Sequence, residues 1–199
     1  MPNALQDAIW DAVPAGARPE RFALRRAFLL GQVRPGDSVL DLGCGAGEFS
    51  AELLQAGCMP VGVDVAREAL RRAQERLPGA DLRLWADGEP LPLDDASVDA
   101  VWAGEVIEHV VDVAPWLSEV RRVLRPQGTL LVTTPHHGPR ILLGLALSPR
   151  RFAAHFEPRS DHVRFFSPRT LRALLGDLGF DVAELNVKQA TILARAARG

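Results

Sequence analysis

Cysteine is scarce in these 199 residues: Cys44 and Cys58 are the only two, and they form no CxxC pair. That argues against a disulfide framework or a thiolate metal site and leaves both as small packing side chains in a reducing compartment. Lysine is nearly missing too. Of 23 basic residues only Lys188 is lysine, which reads as a composition bias of the source genome. The formal net charge is −2, so no global basic field gathers nucleic acid, and a nucleic-acid partner is not expected. The opening MPNALQDAIWDAV carries acids and no apolar core of signal-peptide length, so export is not expected and a cytoplasmic location is. The apolar run 141–147 has seven residues, far too few to cross a bilayer. Internal repeats and low-complexity linkers are absent, and 47% hydrophobic content fits one domain over 1–199. Nothing in the sequence sets an oligomeric state.

What the chain does have is the stretch SVLDLGCGAGEF, an apolar strand running into three alternating glycines and then an amphipathic helix. Gly43, Gly45 and Gly47 let the backbone turn sharply and approach a ligand closely. Asp41, on the last turn of a buried strand, is costly unless a polar or cationic group satisfies it, so it is expected to face a ligand. Asp64 ends the next apolar run, where an acid can accept hydrogen bonds from both hydroxyls of a ribose. Asp87 ends the third and opens the loop DGEPLPLDD; its carboxylate can accept from an exocyclic amine while the Gly88 amide donates. A charged end, a ribose and an amino-bearing base describe the ligand. A GxGxxG dinucleotide site would place the third glycine one residue later and gives no reason for Asp41 or Asp87.

Strands are expected near Val39, Val61, Leu82, 98–102 and 129–133, with helices at 48–56, 67–76 and 115–124 between them. Ser167-Pro168 starts a last helix that ends at Gly179, and strands at 180–186 and about 189–194 are close enough to pair antiparallel. The fold class is therefore α/β: a Rossmann-like three-layer sandwich around a mostly parallel seven-stranded sheet with an antiparallel C-terminal hairpin.

Asp41-Leu42-Gly43-Cys44-Gly45-Ala46-Gly47 resembles the glycine-rich signature of the class I S-adenosylmethionine-dependent methyltransferases, and the resemblance extends over roughly 33–195. It implies that Asp41 lies near the methionine amino group, Asp64 binds ribose and Asp87 meets the adenine amine. The cofactor set so implied is Asp41, Gly43, Cys44, Gly45, Gly47, Asp64, Val65, Asp87, Gly88 and Ala103, and the cofactor is S-adenosylmethionine.

A second chemical segment, Ala103-Gly104-Glu105-Val106-Ile107-Glu108-His109, follows the fourth strand. On a short helix Glu105, Glu108 and His109 would converge on the ligand crevice. Three readings stand side by side: a structural cluster holding the loop, His109 as a general base, or a divalent metal site of Glu105, Glu108, His109 and His162. The EVIEH segment is similar to one in ubiquinone-pathway O-methyltransferases and in small-RNA 2′-O-methyltransferases, where ExxEH binds a divalent metal, and Asp161-His162 resembles a later histidine of the second group. A metal is not required by this reading and is not expected.

Residues 136–166 are too long for an ordinary loop and read as a substrate cap, whose run 141–147 either packs it onto the core, the favoured reading, or covers an apolar substrate. Residues 1–32, with Trp10, Phe22, Leu24 and Phe28 beside Arg18, Arg21, Arg25 and Arg26, read as a helical lid whose arginines form a solvated face. The expected function is direct-displacement methyl transfer to a small-molecule acceptor, with O-methylation favoured. The alternatives are a non-catalytic S-adenosylmethionine-binding protein and an RNA-modifying enzyme, the latter on the strength of EVIEH and Arg140, Arg150, Arg151, Arg159 and Arg164.

Overall fold

Strand and helix alternate along the chain because short β-branched, apolar runs are punctuated by glycine turns and amphipathic segments. The computed structural model describes residues 4–14, 16–86, 88–157 and 162–199. In chain order these form α1 (Ala4–Ala12), α2 (Phe22–Leu30), β1 (Ser38–Leu42), α3 (Glu48–Gln55), β2 (Met59–Asp64), α4 (Arg67–Arg76), β3 (Asp81–Leu84), β4 (Val98–Gly104), α5 (Val113–Val123), β5 (Leu124–Pro135), α6 (Pro139–Ala146), α7 (Pro149–His155), α8 (Pro168–Asp177), β6 (Phe180–Lys188) and β7 (Thr191–Arg198).

The seven strands lie in the order β3-β2-β1-β4-β5-β7-β6. The first five are parallel and β7 is antiparallel to both its neighbours, as the sequence reading expects. The last strand starts later and runs further than expected, from Thr191 to Arg198. Gln189 and Ala190 both take positive φ, 49° and 57°, and form the two-residue turn that the right-handed twist of a hairpin favours. β5 also exceeds its expected bounds, because all seven residues from Thr129 to Pro135 pair with β7.

Alternation along the central strands feeds two cores. Leu40, Val101, Leu130 and Val132 face Leu117 and Val120 of α5 and Leu171 and Leu175 of α8. Val39, Ala100, Trp102 and Leu131 face Leu29 of α2 and Phe49 and Leu53 of α3. Connections leave β1 toward β2 on one side and reach β4 on the other, so the carboxyl ends of β1 and β4 splay apart. Such a switch point is where open α/β sheets bind ligands.

Two expectations about the periphery are corrected. The cap carries the helices α6 and α7, yet of its apolar run only Leu145 is buried, while Leu142, Leu143 and Leu147 are exposed. One turn-and-a-half of helix has a single inward face, and the rest of the run has no layer above it. Arg25 of the expected solvated face is buried at 4% exposure, with its guanidinium 4.8 Å from the Phe49 ring centroid and 5.8 Å from that of Trp102.

Candidate functional site

Gly43, Gly45 and Gly47 have φ of 73°, 55° and 78°, a left-handed run closed to side chains at low cost. The Gly43 and Cys44 amides donate to the Val63 carbonyl at 2.8 and 3.1 Å, which fixes the loop across the tips of β1 and β2. Arg76 of α4 clamps the far side: its Nε donates to the Ala46 carbonyl at 2.7 Å and its Nη2 pairs with Glu48 at 2.5 Å.

Beside this loop is a cavity of about 300 Å³. Gly43, Gly45, Asp64 and Val65 of the expected cofactor set line it together with Glu105 and His109. The other expected residues sit elsewhere. Cys44 is buried with Sγ 3.1 Å from where a Cβ of Gly62 would be, and burial raises its thiol pKa, so it packs as a neutral group. Gly47 faces Ala73 and Leu77 of α4, and Ala103 is fully buried in the larger core. Gly88 lines an adjoining cavity of about 360 Å³ that shares Trp85 and Trp116 with the first. Asp87 lies outside the described residues.

Asp41 is 1% exposed, lies beneath the loop and accepts from Ser50 Oγ at 2.6 Å. Burial pushes its pKa up to about 7 although the Ser50 hydroxyl pulls the other way. Asp64 accepts the Gly45 amide on Oδ2 at 2.9 Å and the Ala66 amide on Oδ1 at 2.8 Å. Asp64 also lines the cavity, and a carboxylate has capacity to accept further hydrogen bonds there.

The Glu105–His109 segment forms a turn rather than the expected helix, closed by the His109 amide donating to the Val106 carbonyl at 2.9 Å. Glu105 has φ 57°, unusual for a side-chain-bearing residue. Donor atoms of Glu108, His109 and His162 all lie within 4.8 Å of one another, and Glu105 is not in that group. The rings of His109 and His162 meet edge to face at 4.7 Å. Glu108 is 1% exposed; Oε2 accepts from Thr134 Oγ1 at 3.0 Å, while Oε1 is buried without a hydrogen-bond partner. Burial and then the neighbouring Glu105 push its pKa up to about 7. Asp161, Arg159 and their neighbours lie outside the described residues.

The sequence reading put Trp10 in a lid over 1–32 but did not name the other residues of the remaining wall. Gln6, Ile9, Trp10 and Val13 of the first helix and its end line the cavity, as do Trp85, Val110 and Trp116. A Cβ on Gly45 would lie 2.8 Å from Trp10, so the indole rests directly on the glycine loop. A tryptophan spaced four residues from Gln6 was the available signal, but no local pattern says which sheet edge a terminal helix will cover.

Comparison with known proteins agrees with this geometry. Residues 40–132 match the family model described as a methyltransferase domain. A malonyl-[acyl-carrier protein] O-methyltransferase of Serratia marcescens is 30% identical over 190 residues, which is 93% of this chain and 71% of the relative. The ubiquinone biosynthesis O-methyltransferase of Azorhizobium caulinodans is 34% identical over 155 residues, 75% of this chain and 61% of the relative. Four curated relatives are matched over 31 to 61% of their own length, so the chain spans about half of them. Among solved structures, the PH0226 protein of Pyrococcus horikoshii OT3 superposes with a TM-score of 0.73 at 23% identity, covering 96% of this chain and 99% of the other. A similar fold in an S-adenosylmethionine-dependent methyltransferase of Mesorhizobium loti gives 0.70 at 20% identity, over 95% and 100%. With the glycine loop, the sheet order and a relative aligned over most of both chains, the protein belongs to the class I S-adenosylmethionine-dependent methyltransferases.

Proposed function

We propose that this chain is an enzyme moving a methyl group from S-adenosylmethionine to an oxygen of a small-molecule acceptor. The observation that carries the reading is that His109 lines the same cavity as Gly43, Gly45 and Asp64, so a base and the glycine loop share one cavity. Three relatives are named as methyltransferases in processes that modify oxygen: the two above and the 27-O-demethylrifamycin SV methyltransferase of Amycolatopsis mediterranei, 38% identical over 104 residues.

S-adenosylmethionine supplies an electrophilic sulfonium methyl. The loop and Asp64 would hold its nucleoside, with Asp64 accepting from the ribose hydroxyls; Asp41 would balance the methionine ammonium, and Asp87 with Gly88 would meet the adenine edge. His109 takes the acceptor's proton as the new O–C bond forms and the S–C bond breaks. Holding both reactants in line accounts for ~7 to 11 kcal/mol of the barrier, so no protein nucleophile is needed. Helix α1 serves as the lid and residues 136–166 as the acceptor cap.

A divalent ion is a second reading, favoured by the clustered Glu108, His109 and His162 donors and by the unpartnered Glu108 Oε1. Two imidazoles and a carboxylate suit zinc, manganese or iron, and such an ion would lower the pKa of an acceptor hydroxyl.

Radiolabelled cofactor offered with hydroxyl, carboxyl and amine acceptors tests both. Oxygen acceptors are expected to take label, and His109→Ala should lower kcat by roughly 10²- to 10⁴-fold with cofactor affinity unchanged. Cofactor binding with no transfer to any acceptor would leave a non-catalytic binding protein. Metal analysis of dialysed protein, with activity before and after chelation, decides between base and ion: full activity without metal removes the ion.

A further inference from the structure

The exposed apolar surface of this protein is concentrated in one place. Seven of the twelve exposed large hydrophobic side chains among the described residues fall between 142 and 165. They come from the α6–α7 pair, its flanking residues and the returning chain: Leu142, Leu143, Leu147, Phe152, Phe156, Val163 and Phe165. Leu147, at the junction of the two helices, is 76% exposed, the highest value in that set. Single exposed apolar residues are ordinary, but a contiguous group at a helical tip marks a surface that meets something apolar.

The charge around this tip is predominantly basic. From His136 to Phe166 the chain contains five arginines and four histidines against two acids, Glu157 and Asp161, although acids outnumber basic residues over the whole sequence, 25 to 23. Arg150 and Arg151 are exposed and follow directly on Leu147 and Ser148. Directional polar groups are few. The run 141–147 has no polar side chain, and the hydroxyl of Ser148 already caps α7 by accepting from the Arg151 amide. A protein-recognition face carries about one hydrogen bond per 100–200 Å² of contact, for which this tip is poorly equipped. An apolar prow with a guanidinium collar instead matches the boundary between acyl chains and anionic headgroups.

We infer that the α6–α7 tip docks on an anionic lipid bilayer, with Leu143, Leu147 and Phe152 entering the interface and Arg150 and Arg151 meeting headgroup phosphates. The contact is peripheral, since no helix among the described residues is long and apolar enough to cross a membrane. It would also hold the site in a fixed orientation to the surface, because the chain returning from the tip is pinned to it: the Val163 and Arg164 amides donate to the Glu108 carbonyl at 2.9 and 3.0 Å. This inference does not rest on the methyl-transfer reading, although its residues belong to the segment proposed there as the acceptor cap.

Flotation of the full chain with phosphatidylcholine vesicles, with and without phosphatidylglycerol, tests it. Binding is expected only to the anionic vesicles and should weaken as salt rises. Arg150→Gln with Arg151→Gln should lower affinity roughly tenfold or more, and Leu147→Glu with Phe152→Glu should abolish it. Both variants change exposed residues, so their melting temperatures and cofactor affinities should match the parent. Absence of flotation with anionic vesicles, or flotation undiminished in the Leu147/Phe152 variant, overturns the inference. So does concentration-dependent self-association in sedimentation that the same variant removes, which would assign the tip to a second copy. Single-stranded RNA binding lost in the arginine variant but kept in the apolar one would assign it to nucleic acid and equally overturn the lipid reading.

Discussion

Asp64 holds the Gly45 and Ala66 amides before any ligand arrives, so removing its side chain acts twice. Asp64→Ala should leave two buried donors unsatisfied, costing about 1–3 kcal/mol of stability, and should weaken cofactor binding by about 10-fold or more through the lost ribose contacts. Position at a strand end pointed to the ribose role; the backbone hold is visible only once the glycine loop is seen to fold back over the carboxylate. Asp64→Asn retains one acceptor and should recover much of the stability without the affinity. Calorimetry beside melting curves separates the two effects, and equal affinity for parent and Ala variant would remove Asp64 from the cofactor site. Asp41 gives the pH prediction. Its folded pKa of about 7 lies above the ordinary value of 3.8, so between those limits the native state keeps a proton that the unfolded chain has released. The stabilisation is therefore complete below about pH 3.8 and lost as pH rises to about 7, on the order of 4 kcal/mol in all. Asp41→Asn, neutral throughout, should flatten this slope in unfolding measured from pH 4 to 8 ~ across the same window. The spacing of the apolar strand made Asp41 legible as a buried acid, whereas its partner Ser50, nine residues on in α3, was not.

Helix α1 is the element that the sequence placed least well and that the site uses most. The N-cap residue of α4, Ala66, has no side chain to offer, and Asp7 supplies the cap from a distance: its Oδ1 accepts from the Arg67 and Glu68 amides at 2.7 and 3.3 Å. Arg72 closes the contact by donating to the Val13 carbonyl at 2.8 Å with its guanidinium 5.9 Å from the Trp10 ring centroid. A carboxylate at a helix N-terminus is worth about 0.5–2 kcal/mol, so Asp7→Ala should release α1 and weaken cofactor binding by about 2- to 30-fold, with the main unfolding transition of the sheet little changed. Fluorescence of Trp10 against the other three tryptophans, read in a Trp10→Phe control, follows the release directly. Gly43 tests the loop. Its Cβ would sit 2.5 Å from Val106 Cγ2 at a φ of 73°, so Gly43→Ala should cost about 1–3 kcal/mol, and Val106→Ala in the same chain should restore only the steric part. Full recovery would mean that the backbone there tolerates a side chain. The glycines were legible from spacing alone; the turn at Glu105 was not, because nothing in ExxEH announces a residue with positive φ.

At the scale of the molecule, the alternation of apolar runs and amphipathic helices was enough to give the parallel sheet and its antiparallel closing pair, since each strand's pattern is local. Strand order, the lid and the fate of the cap depend on contacts between distant segments, and composition misled there: a run as apolar as 141–147 reads as core, yet it lies where no second layer covers it. The same division predicts how stability is distributed. β4 and β5 are central strands flanked by both cores, with Val101, Leu130, Leu131 and Val132 fully buried, whereas α7 has no buried residue and α6 only Leu145. Opening the centre of the sheet must break both cores, while α6 and α7 can open without disturbing either. Amide exchange should therefore be slowest in β1, β4 and β5, at rates set by global unfolding, and faster by orders of magnitude in α6 and α7. Added S-adenosylmethionine should slow exchange in α1 and in 43–47, where Trp10 lies against Gly45, and leave the relative protection of α7 unchanged. Exchange in α7 as slow as in β5 would mean that the cap is part of the cooperative core, and would remove the physical basis for treating its exposed side chains as free to meet a partner.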